Sequence, residues 1–255
     1  MYQPEGFNDD TTQVCKLLKS LYGLKQAPRC WIQHFTSFLE SFGFSKSTAD
    51  PCFYIFKSKL GKMLLAFYVD DGLLTATNEL LIEIFFSELR KQFKITETKN
   101  VTSFLGVEII KLSDGSIFIN QEKFIRKILE RFSMNDANVV STPIETGWDL
   151  SSSCKMGKEI PYREAVGNLY VQVISKPDIS FAVNIASRAL DNPSVAHWSL
   201  VKRIMRYLKG TADLGLLYCK NGDFEAFSDA DFAGDRETRK STSGILCKNA
   251  NAAIV

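Results

Sequence analysis

Two adjacent aspartates, Asp70 and Asp71, interrupt the apolar run LLAFYVDDGLL (64–74). An unpaired carboxylate in apolar surroundings is penalised by several kcal/mol or shifts its pKa until it is neutral, so something must compensate the charge. Two readings follow. As turn formers, with Asp-Gly marking a hairpin between two hydrophobic strands, both side chains stand in water and do no chemistry. As metal ligands, they answer to the strand before them. MLLAFYV (63–69) has the pattern of a strand buried on both faces, which would bring the hairpin tip out of the centre of a sheet. Carboxylates held there suit Mg²⁺, which takes oxygen ligands and keeps waters and phosphate oxygens in its shell. Two such ions roughly 4 Å apart would stabilise the attacking and leaving oxygens of a phosphoryl transfer.

The elements around this pair are legible. APRCWIQHFTSFLESFGF (27–44) reads as an amphipathic helix with Trp31, Phe35, Phe38, Leu39 and Phe42 on one face and Gly43 as its stop. QVCKLLKS before it is strand-like. DPCFYIFKS, KMLLAFYV and GLLTAT read as three strands, with Asp70, Asp71 and Gly72 between the last two. Asn78 caps a second helix whose stripe is Leu81, Ile82, Phe85, Phe86, Leu89 and Phe93. A further hairpin, VTSFLGVEIIKLSDGSIFIN, turns at Asp114-Gly115, so the first part is α+β with an antiparallel sheet. From Asn120 the pattern becomes helical. QEKFIRKILERFSM is amphipathic, a Ser-rich stretch ending at Pro161 reads as linker or surface loop, Pro177 opens a helix, and Ser194 and Gly210 bracket another. Strands return in LGLLYCK, FEAFSDADF and SGILCK, with a turn at Asn221-Gly222.

Bulk composition narrows the function classes. With 255 residues and 45% apolar side chains, the chain can build one large core or several small ones. A net charge of +2 leaves any nucleic-acid affinity to local patches. The six cysteines form no C-x-x-C pair or zinc-like cluster, which fits a reducing compartment. No apolar run reaches membrane-spanning length and no secretion signal opens the chain. Lys202, Arg203, Arg206 and Lys209 share one helix face opposite Trp198, Val201, Ile204, Met205 and Leu208. That face is either merely solvated or a surface for nucleic-acid phosphates, without sequence readout. His34 and His197 read as packed helix residues.

FYVDD resembles the tyrosine-x-Asp-Asp hairpin of retroelement reverse transcriptases. LYGLKQAPRCW, ADPCFYI, FLGVEI, YREAVGNLYV, KPDISFAVN, AHWSLVKRIMRYLKGT and SDADFAGDRETRKSTSG resemble, in order, the Pol polyprotein of copia-type LTR retrotransposons. The resemblance covers essentially the whole chain. It implies an RNA-directed DNA polymerase in which Asp70 and Asp71 are palm carboxylates for Mg²⁺ or Mn²⁺, Asp70 the direct ligand and Asp71 more peripheral. Tyr68 and Val69 would set the hairpin against the primer terminus. Tyr22, Gly23, Lys25 and Gln26 would meet the incoming nucleotide or the template; the alternative is that Gly23 and Pro28 only shape the entry to the Trp31 helix. Phe104, Leu105 and Gly106 would form the primer grip. Asp229 matches the first metal-binding carboxylate of a ribonuclease H fold, with Asp231 and Asp235 as weaker matches and a strand-end turn as the alternative.

The implied partners are an RNA template, a DNA primer and deoxynucleoside triphosphates, with integrase, protease and Gag segments in an intact element and no membrane. The implied setting is the cytoplasm, within a virus-like particle, or the nucleus. The resemblance divides the chain into partial fingers and palm (1–119), a helical thumb or connection region (120–212) and a truncated RNase H-like part (213–255). It also implies a third palm carboxylate on an earlier strand. Asp9 and Asp10 lie in a polar stretch without that context, and the expectation is a chain truncated at both ends. Such a chain would have no or very weak polymerase activity and no ribonuclease H activity. A non-catalytic nucleic-acid-binding remnant and an inert relic are the alternatives.

Overall fold

Apolar residues at helical and strand spacings dictate the first half of the fold. The computed structural model describes residues 2–7, 12–148, 150, 154, 156–157, 159–235 and 239–254. The chain divides into two compact units, Met1–Thr98 and Lys99–Val255. Asp9 and Asp10 lie outside the described residues.

In Met1–Thr98, helix α1 (Ala27–Phe42) buries Phe35, Phe38 and Leu39 and ends at Gly43, whose φ of 109° only glycine adopts without strain. Helix α2 (Glu79–Gln92) starts where the Asn78 side chain accepts the Leu80 N–H, and it buries Leu81, Phe85 and Leu89. Strands β1 (Phe44–Lys46), β2 (Phe53–Ser58), β3 (Gly61–Tyr68) and β4 (Asp71–Ala76) form one antiparallel sheet in sequence order. QVCKLLKS is not a strand: it pairs with no strand and its side chains are exposed. Strand β3 is buried on one face rather than two. Met63 and Leu65 are enclosed, whereas the intervening Leu64 remains 37% exposed. Within this unit both helices contribute to one core with Tyr54, Met63 and Leu65.

In Lys99–Val255, β5 (Ser103–Phe104), β6 (Val107–Lys111), β7 (Ile117–Asn120) and β8 (Leu216–Tyr218) form a second antiparallel sheet. Strand β8 pairs with β7 and so joins residues 117–119 to residues 216–218 in one sheet. Helices α3 (Glu122–Arg131), α4 (Tyr162–Gln172), α5 (Ser180–Ser187) and α6 (Val195–Gly210) share a core that includes Ile125, Leu169, Val183, Ile204 and Leu208. Pro177 opens a short 3-10 turn that leads into α5, and Ser194 caps α6 by accepting the His197 N–H. The stretch before Pro161 is more than a linker, since Ile144, Trp148, Leu150 and Met156 pack on that core. A third sheet, β11 (Ala252–Ala253), β10 (Ser243–Asn249) and β9 (Glu225–Ala230), is antiparallel, and every residue of β9 is exposed. No helix among the described residues is long and apolar enough to cross a membrane.

Candidate functional site

The β3–β4 hairpin turns one residue earlier than Asp71-Gly72 suggests. Tyr68 pairs with Asp71 and Phe67 with Gly72, so Val69 and Asp70 make the two-residue turn. Val69 holds a left-handed φ of 57°. For a β-branched residue that conformation costs about 1–2 kcal/mol, and it sits where hairpin turns ordinarily place glycine. Asp70 and Asp71 are both exposed, and among the described residues neither carboxylate has a hydrogen-bond or ion-pair partner. The desolvation problem posed by the apolar run is therefore solved by position: the tip stands in water. Tyr68 and Val69 beside them are also exposed, at 57% and 56%.

Two adjacent, unpaired carboxylates on a strained tip fit a hard divalent cation that retains waters and phosphate oxygens. Among the described residues no group of three or more His, Cys, Asp or Glu side chains is placed to complete a cage.

The YGLKQAP stretch lies in the same unit. The Leu24 N–H donates to the Leu21 carbonyl across a turn whose third residue, Gly23, has φ of 90°, as a type II turn requires. A Cβ at Gly23 would meet no atom within 4 Å, so its backbone is open to close approach. Tyr22 is fully exposed, and Lys25 and Gln26 are exposed immediately before α1. Pro28 lies in the first turn of α1, so it shapes the helix entry beside the exposed Tyr22, Lys25 and Gln26.

Trp31 is a contact that helical periodicity did not foresee. It lies on the predicted face of α1, and its Nε1–H donates to the Val69 carbonyl at 2.7 Å. The available signal was the indole itself, an apolar ring carrying a polar edge.

In the second unit, Phe104 pairs with Val107 around a tight turn at Leu105 and Gly106, both with positive φ (49° and 81°). Positive φ at both central positions is the type I′ hairpin pattern. Leu105 is exposed and Gly106 has open space where a Cβ would stand. The basic face of α6 is largely engaged within the chain. Arg203 pairs with Glu145 at 2.7 Å, donates to Thr142 and lies over the Trp148 ring. Arg206 donates to the Asn138 carbonyl and Lys209 to that of Ala137. Lys202 is exposed. Arg203→Ala is expected to destabilise Lys99–Val255 by about 1–2 kcal/mol, read as a lower midpoint in urea unfolding, because the Arg203 side chain is only 12% exposed and its removal opens the Trp148 contact and the Thr142 hydrogen bond.

Asp229 lies on exposed β9, its carboxylate accepting the Ala230 N–H. Asp231 accepts the Thr242 and Gly234 N–H groups, which hold its carboxyl below the usual range, and Asp235 pairs with Arg188 at 3.3 Å. The latter two are thus tied into a turn and an ion pair. His197 belongs to the α6 capping box, facing the Ser194 hydroxyl at 2.7 Å, and His34 lies against Phe93.

Residues 1–146 match the sequence profile of the family described as reverse transcriptase (RNA-dependent DNA polymerase). The whole chain is 40% identical over 270 residues to the retrovirus-related Pol polyprotein from transposon TNT 1-94 of Nicotiana tabacum. It is 35% identical over 253 residues to that from transposon RE2 of Arabidopsis thaliana. The chain spans only 20% and 17% of those two polyproteins. A third relative, an uncharacterized mitochondrial protein of Arabidopsis thaliana, is 37% identical over 186 residues, covering 72% of this chain and 77% of that protein. No solved structure matches the chain.

Proposed function

Because this chain belongs to the reverse transcriptase family of retrotransposon Pol polyproteins, we propose that its β3–β4 hairpin is the metal-binding part of an RNA-directed DNA polymerase centre. The observation that carries this reading is the pair of exposed, unpartnered carboxylates on a strained two-residue turn. Asp70 and Asp71 would hold Mg²⁺ or Mn²⁺, which when bound activates a primer 3′-hydroxyl and neutralises charge on the nucleotide phosphates. The chain's own residues do the positioning. The Tyr68 ring and the Val69 side chain present the apolar flank of the tip to the primer end. Tyr22 offers a ring face to the nucleotide, Gly23 lets backbone come close, and Lys25 and Gln26 meet phosphate or template. The Phe104–Gly106 hairpin serves as primer grip through its backbone shape. The first unit is read as palm with part of the fingers, α3 to α6 as thumb or connection, and the β9–β11 sheet with Asp229 as RNase H-like.

Two carboxylates are too few to hold two divalent ions, so a polypeptide of these 255 residues is expected to extend a DNA primer on an RNA template weakly or not at all. The test is primer extension with Mg²⁺ and with Mn²⁺, beside an Asp70→Asn, Asp71→Asn form. Equal background for both is the expected result. Template-directed extension that the double substitution abolishes would overturn the expected inactivity while upholding the site. Salt-dependent binding of primer–template together with Mn²⁺ binding that ignores both aspartates would instead favour a non-catalytic nucleic-acid-binding role.

A further inference from the structure

We propose that Trp31 is a positioning residue for the hairpin, holding the Val69–Asp70 peptide plane so that Asp70 is presented in one orientation. The proposal rests on the polymerase reading for its purpose and on separate geometry for its mechanism. The Val69 carbonyl that accepts the Trp31 Nε1–H belongs to the peptide unit leading into Asp70. Fixing that carbonyl fixes the plane from which the Asp70 Cα–Cβ bond departs. Val69 needs such a restraint, because its left-handed φ is one that a β-branched side chain leaves unless the surroundings hold it.

Trp31 is itself immobilised. Its ring stacks on Phe35 at 5.8 Å and meets Phe93 edge-on at 5.6 Å. Phe35 in turn stacks on Phe67 at 4.2 Å, directly before the tip. The hairpin end is therefore gripped twice from α1, through a ring stack at Phe67 and a directional hydrogen bond at Val69. Helix α1 begins at Ala27, immediately after Lys25 and Gln26, so one rigid element links the open YGLKQ turn to the carboxylates. A shift of α1 on nucleotide contact would reach Asp70 through Trp31.

The test replaces Trp31 by Phe and, separately, by β-(3-benzothienyl)alanine, which keeps the bicyclic ring but has sulfur in place of the N–H donor. Amide exchange is read residue by residue across Met1–Thr98, with Mn²⁺-induced broadening at Asp70 and Asp71. Both variants are expected to speed exchange at 67–73 about fivefold. In the benzothienyl form the α1 and α2 core should exchange as in the parent. The Mn²⁺ concentration for half-broadening at Asp70 should rise about threefold with the same loss of one hydrogen bond. Parental exchange at 67–73 in the benzothienyl form overturns the proposal, as does equal acceleration throughout the unit, which marks Trp31 as packing alone. Faster exchange with unchanged Mn²⁺ response overturns its link to the metal. Parental broadening that persists in Asp70→Asn, Asp71→Asn overturns the polymerase reading and leaves the exchange result standing.

Discussion

With Asp70→Asn and Asp71→Asn introduced together, Mn²⁺-induced broadening at the β3–β4 tip is expected to fall away, the apparent affinity dropping about tenfold or more. The thermal midpoint of Met1–Thr98 should stay level or rise. Asn keeps the size and turn preference of Asp, so the second turn position and the first residue of β4 remain satisfied. Neither carboxylate has a partner among the described residues, so no ion pair or hydrogen bond is lost. Two adjacent negative charges in water repel by less than about 1 kcal/mol, and removing them relieves that small cost. The two interpretations of the pair thus differ in the response to the cation. Carboxylates that serve only as turn formers would leave both the stability of the unit and its response to Mn²⁺ unchanged on substitution by Asn. Carboxylates retained for a cation give a unit of equal or greater stability that no longer binds it, as expected for a site kept at some expense to stability.

What the sequence could and could not disclose follows from the range of each interaction. Helix α1 was legible because Phe35, Phe38 and Leu39 recur at helical spacing and Gly43 supplies the left-handed stop. The α2 start was legible because Asn78 caps two residues away. The hairpin was legible as a hairpin, yet its turn was displaced by one residue. Asp-Gly is the stronger local turn signal, but pairing of Leu65 with Tyr54 and burial of Met63 and Leu65 set the register. One-sided burial of β3 was hidden because an apolar run does not say how many faces are covered. The engagement of Arg203 and the Trp31–Val69 bond were hidden for a related reason. Their partners lie 61 and 38 residues away, and periodicity records which face a side chain is on but not what it meets there.

Phe85→Ala should carry the largest stability cost in the first unit, about 4 kcal/mol. Phe85 is 2% exposed, and its ring meets those of Phe38 (6.1 Å), Phe42 (5.1 Å), Phe44 (5.3 Å) and Phe86 (5.8 Å). These rings come from α1, β1 and α2, so the cavity would open where three elements converge. Small domains have stabilities of about 5–15 kcal/mol in total, so such a loss takes a large share of what holds this unit. The core of Lys99–Val255 shares no residue with this one. Calorimetry should therefore show one transition falling steeply while the other stays in place. Ile84→Ala, one position away on α2 but 40% exposed, should move the midpoint by about 0.5 kcal/mol or less and so separates cavity formation from helix propensity. The hairpin gives the functional readout of the same experiment. Its β3 strand is seated through Met63 and Leu65 in the core that contains Phe85. Amide exchange at 67–73 should accelerate in Phe85→Ala together with α1 and α2, in contrast to the local acceleration expected when only the Trp31 donor is removed.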